Sequence, residues 1–174
     1  MTRRLFGDFL RGSFFAVPVL VAFNDVVGSP AKVVGRSMQP ALNPTLSEHA
    51  SDTEGDIVWQ DRLSIRRNKY DRGSIVVFRN PFDPKERMVK RLIAVGGDWV
   101  RSTENQYEVL KIPPGSCWVE GDNYGISGDS NNFGPIPLAL IEAKATFVLW
   151  PPRRIGWLDQ PSPEVEDAAS WKKL

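Results

Sequence analysis

From residue 29 to residue 152 the chain is a succession of short β-branched runs separated by Gly, Pro, Asn and Asp, the pattern of an antiparallel β protein. The runs predict strands over 32–34, 56–63, 74–79, 87–95, 99–102, 116–120 and 144–149, with one short helix over 138–143. No internal repeat is evident. At 174 residues, with 41% hydrophobic and 25% charged, the chain can bury a real core and suits one compact domain with some length left for an anchor or tails. The expected organisation is a basic, apolar segment over 1–28, the β domain over 29–152 and a Pro- and charge-rich tail over 153–174.

The first segment differs from the rest. Arg3, Arg4 and Arg11 precede an apolar run, 12–23, of about twelve residues, which Asn24 and Asp25 interrupt before Val26 and Val27. A bilayer-spanning helix needs ~20 residues, so the run is short by itself and reaches that length only by including Asp8, Arg11 and Asp25. A signal anchor, a cleaved targeting peptide and a buried core helix are the three readings; for the first, the leading arginines hold the N-terminus on the side of insertion and place the chain after residue 28 across the membrane. Pro18 adds a kink that lipid tolerates.

Charge and composition remove several function classes. Lys+Arg 22 against Asp+Glu 21 gives +1, which leaves the whole protein no electrostatic reason to seek nucleic acid. A single Cys117 cannot form an internal disulfide, and beside Trp118 it reads as a small core residue. The single His49, in a polar turn-like stretch, cannot build a multi-histidine metal site and would have to be the base of any Ser/His/Asp triad. A hydrolase on this sequence therefore needs another base, and no cofactor is called for.

Three stretches could carry chemistry. Gly35, Arg36, Ser37, Met38, Gln39 and Pro40 place a serine on a bend behind an apolar strand, which is either a nucleophile or a turn serine with a local hydrogen bond. In 88–95 charges sit inside a strand, and alternation puts Lys90 on the face of Met88 and Leu92, and Arg91 on that of Val89 and Ile93. A lysine acts as a base only when neutral; its reference pKa is about 10.4, and desolvation that lowers it by ~3 units corresponds to roughly 4 kcal/mol. Lys90 so tuned could take a proton from Ser37, the alternative being a lysine whose stem covers apolar surface while its ammonium stays wet. The polar loop 120–135 holds Asp122, Asn123, Ser127, Asp129, Ser130 and Asn131; its alternating oxygens suggest a calcium loop, but the spacing does not fit an EF-hand.

In this order and spacing the stretches resemble the signal peptidase I family of Ser/Lys proteases, over about residues 10–152. Ser37-Met38-Gln39-Pro40 resembles the nucleophile motif, 72–78 the strand between the catalytic residues, Val89-Lys90-Arg91-Leu92-Ile93 through Gly97-Asp98 the lysine motif, and Gly121-Asp122-Asn123 with Ser127-Gly128-Asp129-Ser130 the last motif. Within the family the likeness is to its mitochondrial inner-membrane members, through Pro40-Ala41-Leu42-Asn43-Pro44, Asp129-Ser130-Asn131 before Phe133-Gly134-Pro135, and Leu149-Trp150-Pro151-Pro152.

The resemblance implies a mainly β, barrel-like fold of antiparallel sheets with an N-terminal membrane-anchor helix. It makes Ser37 the nucleophile, Lys90 its base, Ser127 the hydroxyl that orients the amine, Arg91 and Asp122 a supporting ion pair, and Asp129 a second structural carboxylate. Val33, Val34, Met38, Leu42 and Met88 are the candidate lining for an extended substrate with small side chains near the cut. The implied activity is removal of presequences from proteins delivered to the mitochondrial intermembrane space, by a single-pass inner-membrane enzyme facing that space, in contact with membrane lipid and paired with a homologous protease subunit. Two departures from bacterial members are Gly35, where a hydroxyl would help bind the oxyanion, and Asn131, where Arg would pair with Asp129. Competing readings are a self-cleaving Ser/Lys repressor, disfavoured by the basic-then-apolar start, and a non-catalytic membrane-anchored subunit that stabilises a partner protease.

Overall fold

In a computed structural model the described residues are 16–46, 55–102 and 109–158; His49 lies outside them. A helix α1 covers residues 16–26. Among the described residues ten strands succeed it in the order β1 Gly28–Lys32, β2 Ile57–Asp61, β3 Ile75–Arg79, β4 Arg87–Val95, β5 Trp99–Arg101, β6 Val109–Lys111, β7 Ser116–Glu120, β8 Ile136–Pro137, β9 Ile141–Trp150 and β10 Gly156–Trp157. Two short helices interrupt them, α2 Arg62–Arg66 after β2 and α3 Ser130–Phe133 before β8. The fold is mainly β, and each strand pair is antiparallel. One sheet runs β1-β2-β9-β3-β4-β7-β8, with β10 on β9; β5 and β6 form a separate hairpin.

Local chemistry explains where the expected elements moved. The predicted strand 56–63 ends at Asp61, because Asp61 caps α2: its carboxylate accepts from Ser64 N–H at 3.1 Å and Ser64 Oγ at 2.5 Å. The predicted helix 138–143 is a 3₁₀ turn, Leu138–Leu140, that runs straight into β9. Helix-forming Leu, Ala and Glu lose there to tertiary context, since β9 is held by β2 on one edge and by β3 on the other, with Ala143 and Ala145 fully buried. Beyond Pro152 the chain stays on the sheet: β10 takes the edge of β9 at Phe147 and Val148, and Leu158 is buried.

Helix α1 is apolar and exposed all round, with Val17, Val19, Leu20, Val21 and Phe23 each open to solvent. Among the described residues α1 contributes nothing to the core clusters. Among the described residues no helix is long and apolar enough to cross a membrane.

Of three apolar clusters among the described residues, one includes Met38 and Leu42 of the serine bend and another Leu92 of β4. Val33, Met38, Leu42, Val58, Ile75, Ala145, Val148 and Leu158 pack together beneath the 33–44 segment. Val76, Phe78, Leu92, Cys117, Val119, Ile136 and Ile141 fill the space between β3, β4, β7 and β9. Each fully buried Leu, Ile or Phe contributes about 1.5–3 kcal/mol. Burial pushes the Cys117 thiol up to about 12, which leaves it inert as a nucleophile.

Candidate active site

The serine bend is fastened by its own apolar residues. Met38 and Leu42 are 2% and 0% exposed in the first cluster, and Leu42 N–H donates to Met38 C=O at 2.8 Å, so the bend from Arg36 to Leu42 is nailed at two points with Ser37 just outside. Ser37 N–H donates to no backbone carbonyl among the described residues. Gly35 has φ +90°, a conformation that L side chains rarely adopt, so the hydroxyl residue of bacterial relatives would be strained there.

Lys90 comes from the middle of β4, where it faces Val76 of β3 in register. It is 3% exposed. Desolvation by burial lowers its pKa below the ordinary lysine value, opposed by the nearby Asp129 charge. Its amine donates to Ser127 Oγ at 3.0 Å, and Ser127 Oγ in turn donates to Asp129 Oδ2 at 2.6 Å. Lys90 and Ser37 meet as walls of one cleft of about 300 Å³, also lined by Val33, Val34, Met38, Gln60, Val77 and Met88; the hydrogen bond of Nζ goes to Ser127. Leu42, expected in this lining, is instead wholly buried in the core below it. Of the five residues expected to line the pocket, the cleft brings together Val33, Val34, Met38 and Met88.

Arg91, the next residue, has a different environment. Its guanidinium grips Asp122 with two hydrogen bonds, 2.7 and 2.6 Å, and donates to Gly73 C=O at 2.6 Å. Planar bidentate pairing of this kind is the strong form of a charged contact.

Asp129 anchors the loop that serves both. Its Oδ2 accepts from Gly121 N–H at 2.9 Å as well as from Ser127, and its Oδ1 accepts from Asn131 N–H and Nδ2. Asn131, standing where an arginine would pair with Asp129, joins two carboxylates through one amide: Nδ2 donates to Asp129 Oδ1 at 3.0 Å and to Glu120 Oε1 at 3.1 Å. Burial pushes the Glu120 carboxyl up, while hydrogen bonds from Trp118 and Asn131 oppose that.

Several participants have no role that the sequence alone assigns. Gly121 passes between the two halves of the site: a Cβ there would stand 2.5 Å from Ser37 C=O and closer still to Ser127 Oγ. Asn123 N–H donates to Ser37 C=O at 3.0 Å, tying the polar loop to the serine bend. Gln39 Nε2 donates to Asn43 C=O at 2.7 Å and Leu46 C=O at 3.0 Å, closing the bend from its far side. A glycine directly before Asp122 in a polar loop is the one available signal, and it does not specify close approach.

An antiparallel sheet that brings a bend serine and a desolvated lysine to one cleft agrees with comparison to known proteins. The model of the signal peptidase family, peptidase S26, matches residues 8–110 and 101–150, and the chain belongs to that family, which makes it a protease. It is 45% identical to mitochondrial inner membrane protease subunit 2 of Mus musculus over 152 residues, 87% of this chain and 84% of the relative. It is 39% identical to subunit 2 of Saccharomyces cerevisiae over 153 residues, 85% of this chain and 84% of the relative. To subunit 1 of the Mus musculus protease it is 36% identical over 143 residues, 79% and 80% of the two chains. The resemblance to the signal peptidase family, and within it to its mitochondrial inner-membrane members, is thus borne out.

Proposed function

We propose that the chain is a membrane-anchored serine endopeptidase that removes presequences from proteins delivered to the mitochondrial intermembrane space, with Ser37 as nucleophile and Lys90 as its base. The carrying observation is a lysine 3% exposed, with its pKa lowered by desolvation and its amine on a hydroxyl rather than a carboxylate, in the cleft that Ser37 lines. A neutral amine is a base, and catalytic hydrogen bonds tighten when substrate arrives.

Each step uses those groups. The Ser37 hydroxyl gives its proton to the Lys90 amine as its oxygen attacks the scissile carbonyl. The N–H of Ser37, which donates to no backbone carbonyl among the described residues, is the donor at hand for the oxyanion. The Lys90 ammonium then protonates the departing amine, leaving an acyl-Ser37 ester. Neutral again, Lys90 takes a proton from the water that attacks the ester and returns it to Ser37 Oγ as the acid product departs, which restores the hydroxyl. Ser127 orients the amine throughout, and Arg91 with Asp122 steadies the lysine strand from its other face.

Substrate enters as a strand. Val34 makes no backbone hydrogen bond among the described residues, and β7 pairs β4 only from Arg91 onward, leaving the outer edge of 87–90 unpaired. An extended peptide between these two edges finds main-chain partners on both sides. Small side chains near the cut meet Val33, Val34, Met38 and Met88.

Residues 1–28 serve as the basic segment and single-pass anchor, 29–152 as the peptidase domain facing the intermembrane space, and 153–174 as a C-terminal segment whose start, through Leu158, packs on that domain. The exposed apolar face of α1 supports the anchor. A homologous subunit is the expected partner, since relatives are named as subunits 1 and 2 of one protease. The test is presequence cleavage by Ser37→Ala and Lys90→Ala variants together with carbonate extraction of the full chain from mitochondria. Loss of cleavage in both, with the chain in the membrane pellet, is expected; unimpaired cleavage by both leaves only a scaffold role.

A further inference from the structure

Against the serine bend and outside the cleft lining, three polar residues from distant parts of the chain meet. Asn43 and Asp56 are each 3% exposed. They exchange a reciprocal pair of hydrogen bonds: Asn43 N–H donates to Asp56 Oδ2 at 2.8 Å, and Asp56 N–H donates to Asn43 Oδ1 at 2.6 Å. The Asn43 amide uses its remaining two donors on the segment that leads into Ser37, giving Val33 C=O a bond of 3.0 Å and Gly35 C=O one of 2.9 Å. Asn43 itself has φ +54°, a conformation that asparagine tolerates better than other residues with a side chain.

Arg154 closes the set. Its Nη1 pairs with Asp56 Oδ2, and its Nη2 donates to Ala41 C=O at 2.8 Å, within the bend. Val33 N–H donates to Asp56 C=O at 2.8 Å, and Gly55 beside it lies so close to Val33 C=O that a Cβ could not fit. The entry to the bend at 33–35 and its exit at 41–43 are thereby held to one another by side chains that satisfy every donor of the Asn43 amide.

We propose that Asn43, Asp56 and Arg154 are positioning residues that fix Ser37 against Lys90, with Arg154 the residue through which the chain after β9 controls the nucleophile. The proposal rests on Ser37 being that nucleophile. None of the three belongs to the cleft lining. They act through the backbone on either side of Ser37, and a nucleophile displaced by about 1 Å loses on the order of 10²-fold in rate. Buried hydrogen bonds with both partners present also resist drift more than solvated ones, because each partner left alone is costly.

The experiment is steady-state cleavage of a presequence peptide by the full chain in its membrane complex, carrying Arg154→Ala, Asn43→Ala or Arg154→Lys, at a temperature where near-UV circular dichroism shows each variant folded. Arg154 is partly exposed, so its alanine variant keeps the test open should Asn43→Ala fail to fold. Arg154→Ala is expected to lower kcat by about 10- to 100-fold and to leave the pH midpoint of the rate where it was, since Lys90 keeps its surroundings. Guanidinium added to Arg154→Ala restores part of the rate, and Arg154→Lys, which keeps the charge on Asp56, falls between. Parental kcat in folded Arg154→Ala, or a loss that only tracks the unfolded fraction, overturns the positioning role. Full activity in Ser37→Ala would instead sink the nucleophile assignment itself, so the two failures are distinguishable.

Discussion

Lys90 and Arg91 are adjacent on one strand, yet the fold treats their charges in opposite ways. Arg91 receives a carboxylate, Asp122, in bidentate contact, and a backbone carbonyl besides. Lys90 receives a hydroxyl, and the nearest carboxylate, Asp129, stands one hydrogen bond further away behind Ser127. Both partners come from the same 121–129 loop, so the difference lies in which side chain the loop presents to each face of β4. Burial without a counter-ion favours a neutral amine; burial with one keeps a guanidinium charged. In the proposed function the strand thus carries one residue for structure, Arg91, and one for chemistry, Lys90.

Replacing each residue in turn should separate the two roles. Lys90→Met is expected to abolish presequence cleavage, by on the order of 10⁴-fold or more, while the protein stays folded. Ser127→Ala comes next: removing the oxygen that orients the amine should cost roughly 10²- to 10³-fold in kcat, read by steady-state kinetics at fixed pH. Gly121→Ala should give a loss of similar sign and smaller size, because its methyl would push on Ser37 C=O and Ser127 Oγ together.

Arg91→Met should act mainly on stability. It leaves the partly buried Asp122 without its partner, at a cost of up to about 3 kcal/mol, which for a domain of this size lowers Tm by at most roughly 6–12 °C. Activity per folded molecule should fall far less than in Lys90→Met; equal losses in the two variants would erase the distinction.

The smallest expected effect is on the pH dependence of stability. The folded-state pKa of Lys90 lies below the unfolded value of 10.5, so between the two the unfolded state binds more protons and stability from this site rises with pH. Below the folded value the desolvated ammonium is a net cost. Lys90→Met removes that slope, so thermal melts at pH 6, 8 and 10 should find the variant favoured most at pH 6, with its advantage shrinking as pH rises.

Legibility in the sequence differs by element. Strands β4 and β7 are legible to the residue, Arg87–Val95 and Ser116–Glu120, because turn formers bound each run, Pro84 and Gly96 about β4 and Gly115 and Gly121 about β7. β8 and β10 are two residues each and carry no periodicity of their own; only pairing with β7 and β9 defines them. The same holds for the site. The proposed roles of Ser37, Lys90 and Ser127 come from resemblance to the family's motifs in their order and spacing, and alternation along a strand already separates Lys90 from Arg91. Asn43, Asp56 and Arg154 do not, since Arg154 lies 98 residues from Asp56 and the chain must fold before the contact exists. Leu42 shows the reverse: adjacency to a motif suggests a pocket wall, and burial makes it core.

The most direct measurement is an NMR titration of lysine Cε resonances in the Ser37→Ala protein, with the Lys90 signal identified by its absence from the Ser37→Ala/Lys90→Met double variant. A midpoint for Lys90 clearly below the ordinary lysine value of 10.5 is the predicted result. A midpoint at or above 10.5 would mean a charged amine at working pH and would contradict the assignment of Lys90 as the base.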